Sequence, residues 1–277
     1  MEIHPALLSE ELKKNCDNYR QDSFIWKPVF KSREPVLEKS RRIGKLSDAL
    51  EGLKFLCSLS NMETHADLIA GLPLYRLDEI FEDIYTLAGY RAGEIQLESL
   101  KLLPGTEMRH RADELGIRYS PLPPYEVLQT GEISVSELQT ARRLSRLLDA
   151  FYNTPAWQEL TRELILNDRR FLYRFLAYLT EANLIDQPMS LERRGLVLYE
   201  YCKQYYPDYR TQASIAWIEA GMSLKKLPAE HVKTKRQIPP EHWEVIYGNY
   251  KPELRLCFLP VSTDTEHVCS FESEIQK

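Results

Sequence analysis

Residues 63–108 constrain the fold more than any other part of the chain. METHADLIAGLP, at 62–73, holds an apolar run from Ala66 to Ala70 that stops at Gly71-Leu72-Pro73, a combination that ends a strand and turns the chain. Leu77, Ile80, Phe81, Ile84 and Leu87 then recur at helical intervals, with Asp78 and Glu79 in the first turn, where carboxylates favour the helix dipole. Gly89 and Gly93 are expected to close this helix. A second strand, Glu94 to Leu102, runs into Pro104-Gly105-Thr106, and a helix from Glu107 to Leu115 is expected to end at Gly116. Two strands joined through such a helix are most simply parallel, because a parallel pair needs a crossover connection. The spacing predicts α/β architecture, barrel or doubly wound.

The flanks differ in character. Before this unit, Leu7 to Asn15 reads as helix, Ser23 to Phe30 as strand, and Pro35 to Cys57 as helix with Leu46, Ala49, Leu50, Leu53, Phe55 and Leu56 on one face. After Tyr119, SPLPPYEVLQTGEIS has three prolines and no helical period, which predicts a linker or extended arm. Four helical stretches follow, at Ser136–Tyr152, Trp157–Ala182, Leu191–Tyr205 and about Asp208–Ala220. A short hairpin is expected within Arg255 to Phe271. The expected division is an α/β part at 1–119 and a mainly α-helical part at 120–277.

Composition excludes several function classes. The net charge of -5, from 36 basic and 41 acidic residues, provides no broad basic face for nucleic acid. No apolar run reaches the ~20 residues of a membrane span, and MEIHPALLSEELKK has neither a basic nor an apolar leader region, so a cytoplasmic location is expected. The closest two of the five cysteines, Cys16, Cys57, Cys202, Cys257 and Cys269, are separated by eleven residues, and reduced, buried thiols are expected. There is no CxxC, CxxxCxxC, GxGxxG or GxxxxGK, and no local signature of Ser-His-Asp or Cys-His catalysis.

The candidate site residues follow from strand geometry. In a barrel, ligands meet the C-terminal ends of the strands, where Gly71, Leu72 and Pro73 and then Pro104, Gly105 and Thr106 fall; the same residues also suit plain strand-to-helix turns. Gln96 and Glu98 share one face of their strand and Lys101 lies on the other, a polar lumen face or a solvated edge. His65 and Asp67 share a face two residues apart, as metal ligands lacking a third partner or as a structural pair. Arg109, His110 and Arg111 read as solvated surface. Tyr152, Tyr173, Tyr178, Tyr199, Tyr201, Tyr205 and Tyr206 fall mostly at helical spacing, as core rather than a ligand groove.

Four segments carry a resemblance in order and spacing: HADLIAGLP at 65–73, QLESLKLLPGTEM at 96–108, PPYEVLQT at 123–130 and AFYNT at 150–154. Together with the opening EIHPALLSEEL they resemble the C-terminal half of the cobalamin-binding radical S-adenosylmethionine proteins and the helical domain that follows their barrel. The resemblance implies a partial (β/α) barrel of radical S-adenosylmethionine type followed by a mainly helical domain. It implies S-adenosylmethionine, a [4Fe-4S] cluster and cobalamin as family cofactors, with Asp67, Gly71, Leu72, Pro73, Gln96, Glu98, Pro104, Gly105 and Thr106 at the S-adenosylmethionine site.

Such enzymes hold the cluster on a CxxxCxxC loop near the start of the barrel, which the resemblance places before residue 1. Ile25 to Pro35, IWKPVFKSREP, also departs from the acidic, amide-bearing strand of intact relatives, since Trp26, Lys27 and Phe30 replace those groups. The expectation is a chain inactive alone, a fragment or one half of a split enzyme. Its partner would be an upstream-encoded half, or a second copy through unpaired sheet edges. The alternative is a non-catalytic binding or scaffold protein derived from such an enzyme.

Overall fold

A computed structural model describes residues 13–14, 25–26, 35–36, 46–59, 63–223, 226–228, 230–231, 244–246, 254–261 and 265–272. The expected first helix, Leu7 to Asn15, lies outside these residues apart from Lys13 and Lys14, as does most of the altered segment Ile25 to Pro35. The chain is mixed α/β and divides into two compact units, residues 1–154 with 161–187, and residues 155–160 with 188–277.

The first unit is built on three parallel strands in the order β1 (Ile25–Trp26), β2 (Glu63–Ala70), β3 (Glu94–Ser99). Helix α1 (Leu46–Ser58) precedes β2, and α2 (Leu77–Gly89) joins β2 to β3. The crossover expected for residues 63–99 is present, with β2 and β3 in register from His65 opposite Glu94 to Ala70 opposite Ser99. The described strands do not close into a barrel.

Alternation divides the sheet. Ala66, Leu68, Ile95 and Leu97 are buried on one face, while His65, Asp67, Glu94 and Gln96 are half-buried on the other. Helix α2 packs against β2 through a stripe of Ile80, Ile84, Leu87 and Ala88, each fully buried.

The glycines work differently from the sequence expectation. The left-handed residue that ends α2 is Arg91, at φ 62°, and the Ala92 N–H bonds back to the Leu87 carbonyl at 3.1 Å. Gly89 stays in the helix. Gly93 is needed for close approach instead, since a Cβ there would meet the Thr64 carbonyl oxygen at 3.0 Å. Helix α3 has only four residues, Glu107–His110, and irregular turns carry the chain to Gly116. Gly116 is the left-handed end expected there, with Ile117 N–H on the Ala112 carbonyl.

The proline-rich segment is a packed arm and not a linker. Its strands β4 (Arg118–Tyr119) and β5 (Val127–Gln129) pair antiparallel. Tyr125 and Val127 bond to Leu102 and Leu100 beyond the end of β3, and Val127 is buried. Helix α4 (Val135–Leu147) runs on through a π-helical stretch, Leu148–Tyr152, and starts on a capping box formed by Ser134 and Glu137.

The helix expected from Trp157 to Ala182 is interrupted, giving α5 (Pro155–Asn167) and α6 (Phe171–Glu181). Asp168 causes the break. Its backbone is extended, and its carboxylate accepts from the Arg170 N–H at 2.8 Å, a local bond that competes with the helix ladder. The aromatic core beside α4 is held by Phe151 and Phe175, edge to face at 4.9 Å, with Phe171 stacked at 5.3 Å.

In the second unit, α7 (Leu191–Tyr205) and α8 (Arg210–Glu219) pack together, and Trp157 and Trp217 lie 6.5 Å apart. Gly195 admits both indoles. The C-terminal sheet has the order β6 (Glu230–His231), β9 (Thr265–Glu272), β8 (Leu254–Val261), β7 (Glu244–Ile246), and the expected tail hairpin is its β8–β9 pair.

A methyl group at Gly195 would lie 2.5 Å from Trp157 Cη2 and 2.9 Å from Trp217 Cε3. Gly195→Ala is therefore expected to lower stability by about 2–3 kcal/mol through overpacking, as urea denaturation would measure. Gly71→Ala and Gly105→Ala separate strain from crowding. A Cβ added at Gly71, at φ 90°, would lie 3.2 Å from Val127 Cγ1, whereas one added at Gly105, at φ 80°, would have nothing within 4 Å. The first substitution is expected to cost about 2–3 kcal/mol and the second about 1 kcal/mol.

Candidate functional site

The half-buried face of β2 and β3 gathers the polar groups. His65 Nδ1 lies 2.7 Å from Glu94 Oε2, directly across the two strands, with side-chain exposures of 15% and 28%. Glu94 Oε1 also accepts from Gln96 Nε2 at 2.7 Å, so one carboxylate joins His65 to Gln96. Asp67 stands opposite Gln96 in the register, and Glu98 opposite Ile69. The partner of His65 is therefore Glu94, not the Asp67 that sequence spacing suggested. Glu94 was legible, because it has the same parity along the strand as Gln96 and Glu98.

Exposure increases along this face. Glu98 is 66% exposed and reaches Lys101 only at 4.0 Å, an ion pair of little energetic weight. The face is thus closed at the amino-terminal end of the strands and open at the carboxyl-terminal end, the side on which parallel sheets present ligands. Among the described side chains its ionisable groups are the carboxylates of Asp67, Glu94 and Glu98 and the imidazole of His65. Such a face suits a cationic ligand that also offers hydroxyl or ammonium donors.

Two similar turns border the open end. In Leu72–Tyr75 the Tyr75 N–H bonds to the Leu72 carbonyl at 3.2 Å, and in Leu103–Thr106 the Thr106 N–H bonds to the Leu103 carbonyl at 3.3 Å. Each has proline at its second position and a positive φ at its third, 62° at Leu74 and 80° at Gly105, as a type II turn requires. Gly71, Leu72 and Pro73 are buried, and Gly71 backs onto Val127. Pro104, Gly105 and Thr106 are exposed, with the Thr106 hydroxyl donating to the Leu103 carbonyl at 2.8 Å. The structure therefore brings Asp67 and Gln96 together, and places the two turns in equivalent positions after neighbouring strands.

Behind the first turn, Tyr75 donates to Asp83 at 2.5 Å, both fully buried. Burial, reinforced by the Asp83 charge, holds the phenol well above its ordinary pKa, so it remains a donor. The Leu74 N–H donates to Glu132 Oε2 at 3.1 Å, which ties the arm to the turn.

Arg109 is the residue whose role the sequence concealed. Its guanidinium lies 5.1 Å from the ring centre of Tyr119 and 4.7 Å from that of Tyr125, and it donates to the Leu102 carbonyl at 3.1 Å. It clamps the arm onto the end of β3, and is not solvated surface. Arg111 pairs with Glu114 at 2.8 Å, and His110 is exposed.

Cys57 and Cys202, the cysteines whose side chains are described, do not fit an iron-sulfur cluster. Cys57 donates to the Thr64 hydroxyl at 3.6 Å and burial raises its pKa, while burial pushes Cys202 up to about 12. Both are held as thiols, the opposite of what cluster ligation needs. Among residues whose side chains are described, no three His, Cys, Asp or Glu side chains are grouped to hold a metal ion. No helix among the described residues is long and apolar enough to cross a membrane. A groove of about 310 Å³ lined by Phe81, Thr140, Arg143, Tyr173, Leu176 and Thr180 shares no residue with the sheet. Of the tyrosines, Tyr152, Tyr199 and Tyr201 are buried in core packing, while Tyr173 and Tyr205 are exposed.

Replacing Arg109 by alanine is expected to cost about 1–2 kcal/mol in urea denaturation, with faster proteolysis within 118–130; Arg109→Lys should recover about half. An unchanged proteolysis pattern in Arg109→Ala would mean the clamp does not hold the arm.

No curated protein matches the chain. Residues 113–224, from the arm through α8, match a domain family described as a protein of unknown function (DUF4080).

Proposed function

We propose that this chain is the C-terminal portion of a cobalamin-binding radical S-adenosylmethionine protein, in which the open polar face of β2 and β3 forms part of the wall of the S-adenosylmethionine site. The observation that carries this reading is the acidic face, which opens at the carboxyl-terminal strand ends between two equivalent proline turns. S-adenosylmethionine carries a sulfonium and an ammonium group beside ribose hydroxyls. Asp67 and Glu98 would attract the cationic part and Gln96 would hydrogen-bond the hydroxyls, with Glu94 held in place by His65. Gly71, Leu72 and Pro73 would set the backbone of the near rim, and Pro104, Gly105 and Thr106 the far rim. The uncharacterised domain match at 113–224 supports the assignment, since the resemblance places a helical domain of that kind after the barrel.

When bound to a reduced cluster, S-adenosylmethionine supplies a carbon-centred radical. The thiols described here cannot hold that cluster, so the proposed contribution of this chain is binding and orientation of the cofactor. The cluster and the cobalamin site would come from an upstream-encoded half. Leu74 and Leu103, 40% and 53% exposed at the two turns, would lie beneath it.

The test is calorimetric titration of S-adenosylmethionine into the chain, alone and mixed with an upstream polypeptide carrying CxxxCxxC. Binding is expected to weaken roughly 10-fold or more in Asp67→Asn, through loss of an interaction with a charged group, and roughly 3- to 10-fold in Gln96→Leu, through loss of a neutral hydrogen bond. S-adenosylhomocysteine, which lacks the sulfonium charge, should bind more weakly than S-adenosylmethionine. Absence of binding in both formats would overturn the proposal. It would favour a non-catalytic binding or scaffold protein, a reading supported by the protonated thiols at Cys57 and Cys202.

A further inference from the structure

The C-terminal hairpin brings together two cysteines that sequence spacing separates. Cys257 and Cys269 have eleven residues between them in the chain, yet they are direct register partners in the antiparallel pairing of β8 with β9. Residues directly opposite in such a pair share a face, with Cα atoms about 4.5 or 5.5 Å apart according to the hydrogen-bonding position. Both values fall inside the range of about 4.4–6.8 Å that a disulfide spans without backbone movement. Of the five cysteines, Cys57 and Cys202 are free thiols elsewhere in the fold.

We infer that Cys257 and Cys269 form a cross-strand dithiol that closes reversibly to a disulfide, locking β8 to β9. The oxidant is a low-molecular-weight disulfide. One cysteine thiolate attacks a sulfur of that disulfide, giving a mixed disulfide and releasing one small thiol. The second cysteine then attacks the mixed disulfide and releases the other. Overall two protein thiols are oxidised to one S–S bond, the external disulfide is reduced to two thiols, and two protons pass with the two electrons. Register favours the intramolecular second step, because the two residues are backbone partners in one hairpin and the second cysteine is therefore present at high effective concentration.

The rival is a metal site. His267 lies two residues before Cys269 and so shares its face, and it is the register partner of Glu230 in β6. A thiolate and imidazole set of this kind would attract zinc. The dithiol is preferred because direct opposition satisfies the disulfide's distance requirement outright, whereas His267 stands diagonally from Cys257.

The experiment equilibrates the full chain with buffers of reduced and oxidised glutathione under anaerobic conditions, followed by acid quench, alkylation and peptide mass mapping. A Cys257–Cys269 disulfide is expected to exceed either mixed glutathione disulfide at least 10-fold across the transition, while Cys202 stays reduced. Cys257→Ser should convert Cys269 from an internal disulfide to a glutathione adduct. Circular dichroism and the unchanged protection of Cys202 report whether that variant is folded, and the wild-type mapping decides the question if it is not. Independent glutathionylation of the two cysteines, or persistent reduction of both, would overturn the inference. So would protection of both thiols from alkylation that zinc confers and a chelator removes, which would assign the position to the metal.

Discussion

The outer edge of β3 is the constraint on which the first unit depends. A parallel strand pairs with β2 on one side only, and the backbone groups on its other side must find partners or remain a template for association. At Ile95 the amide of Asn153 supplies both partners, accepting from the N–H and donating to the carbonyl at 2.9 Å each. Just before the strand, the Tyr152 hydroxyl donates to the Ala92 carbonyl at 2.7 Å. Past its end, Val127 and Tyr125 pair with Leu100 and Leu102. A helix terminus and an extended arm thus stand where a further strand would otherwise be needed.

This closure gives the four motif segments a common physical meaning. HADLIAGLP is β2 and its turn, and QLESLKLLPGTEM is β3 and its turn. PPYEVLQT is the arm that pairs beyond β3, and AFYNT contains the tyrosine and asparagine that cap its edge. They build a single feature, a sheet that stops at β3 and is sealed there. The proposed function rests on the polar face of that sheet.

Packing sets the remaining limits. Gly71 and Gly195 owe their identity to what lies against them, Val127 in one case and two indoles in the other, and neither neighbour is close in sequence. Arg109 is similar. A basic run at a helix start usually faces solvent, but here two rings of the arm enclose its first member. The boundary between α5 and α6 was equally hidden, since the apolar period runs through it and only the side-chain bond of Asp168 breaks the helix.

The sequence by itself determined the parallel crossover, the two proline turns, the alternation that places Gln96 and Glu98 on one face, and the tail hairpin. These follow from periodicity and turn chemistry, which act between near neighbours. Tertiary structure alone decided that His65 pairs with Glu94, that the proline-rich segment is a packed arm, that Arg109 is a clamp, and that Cys257 stands opposite Cys269. Each depends on register or on contact between segments distant in the chain. Local patterns specify which face a residue occupies, and only the folded backbone determines what it meets there.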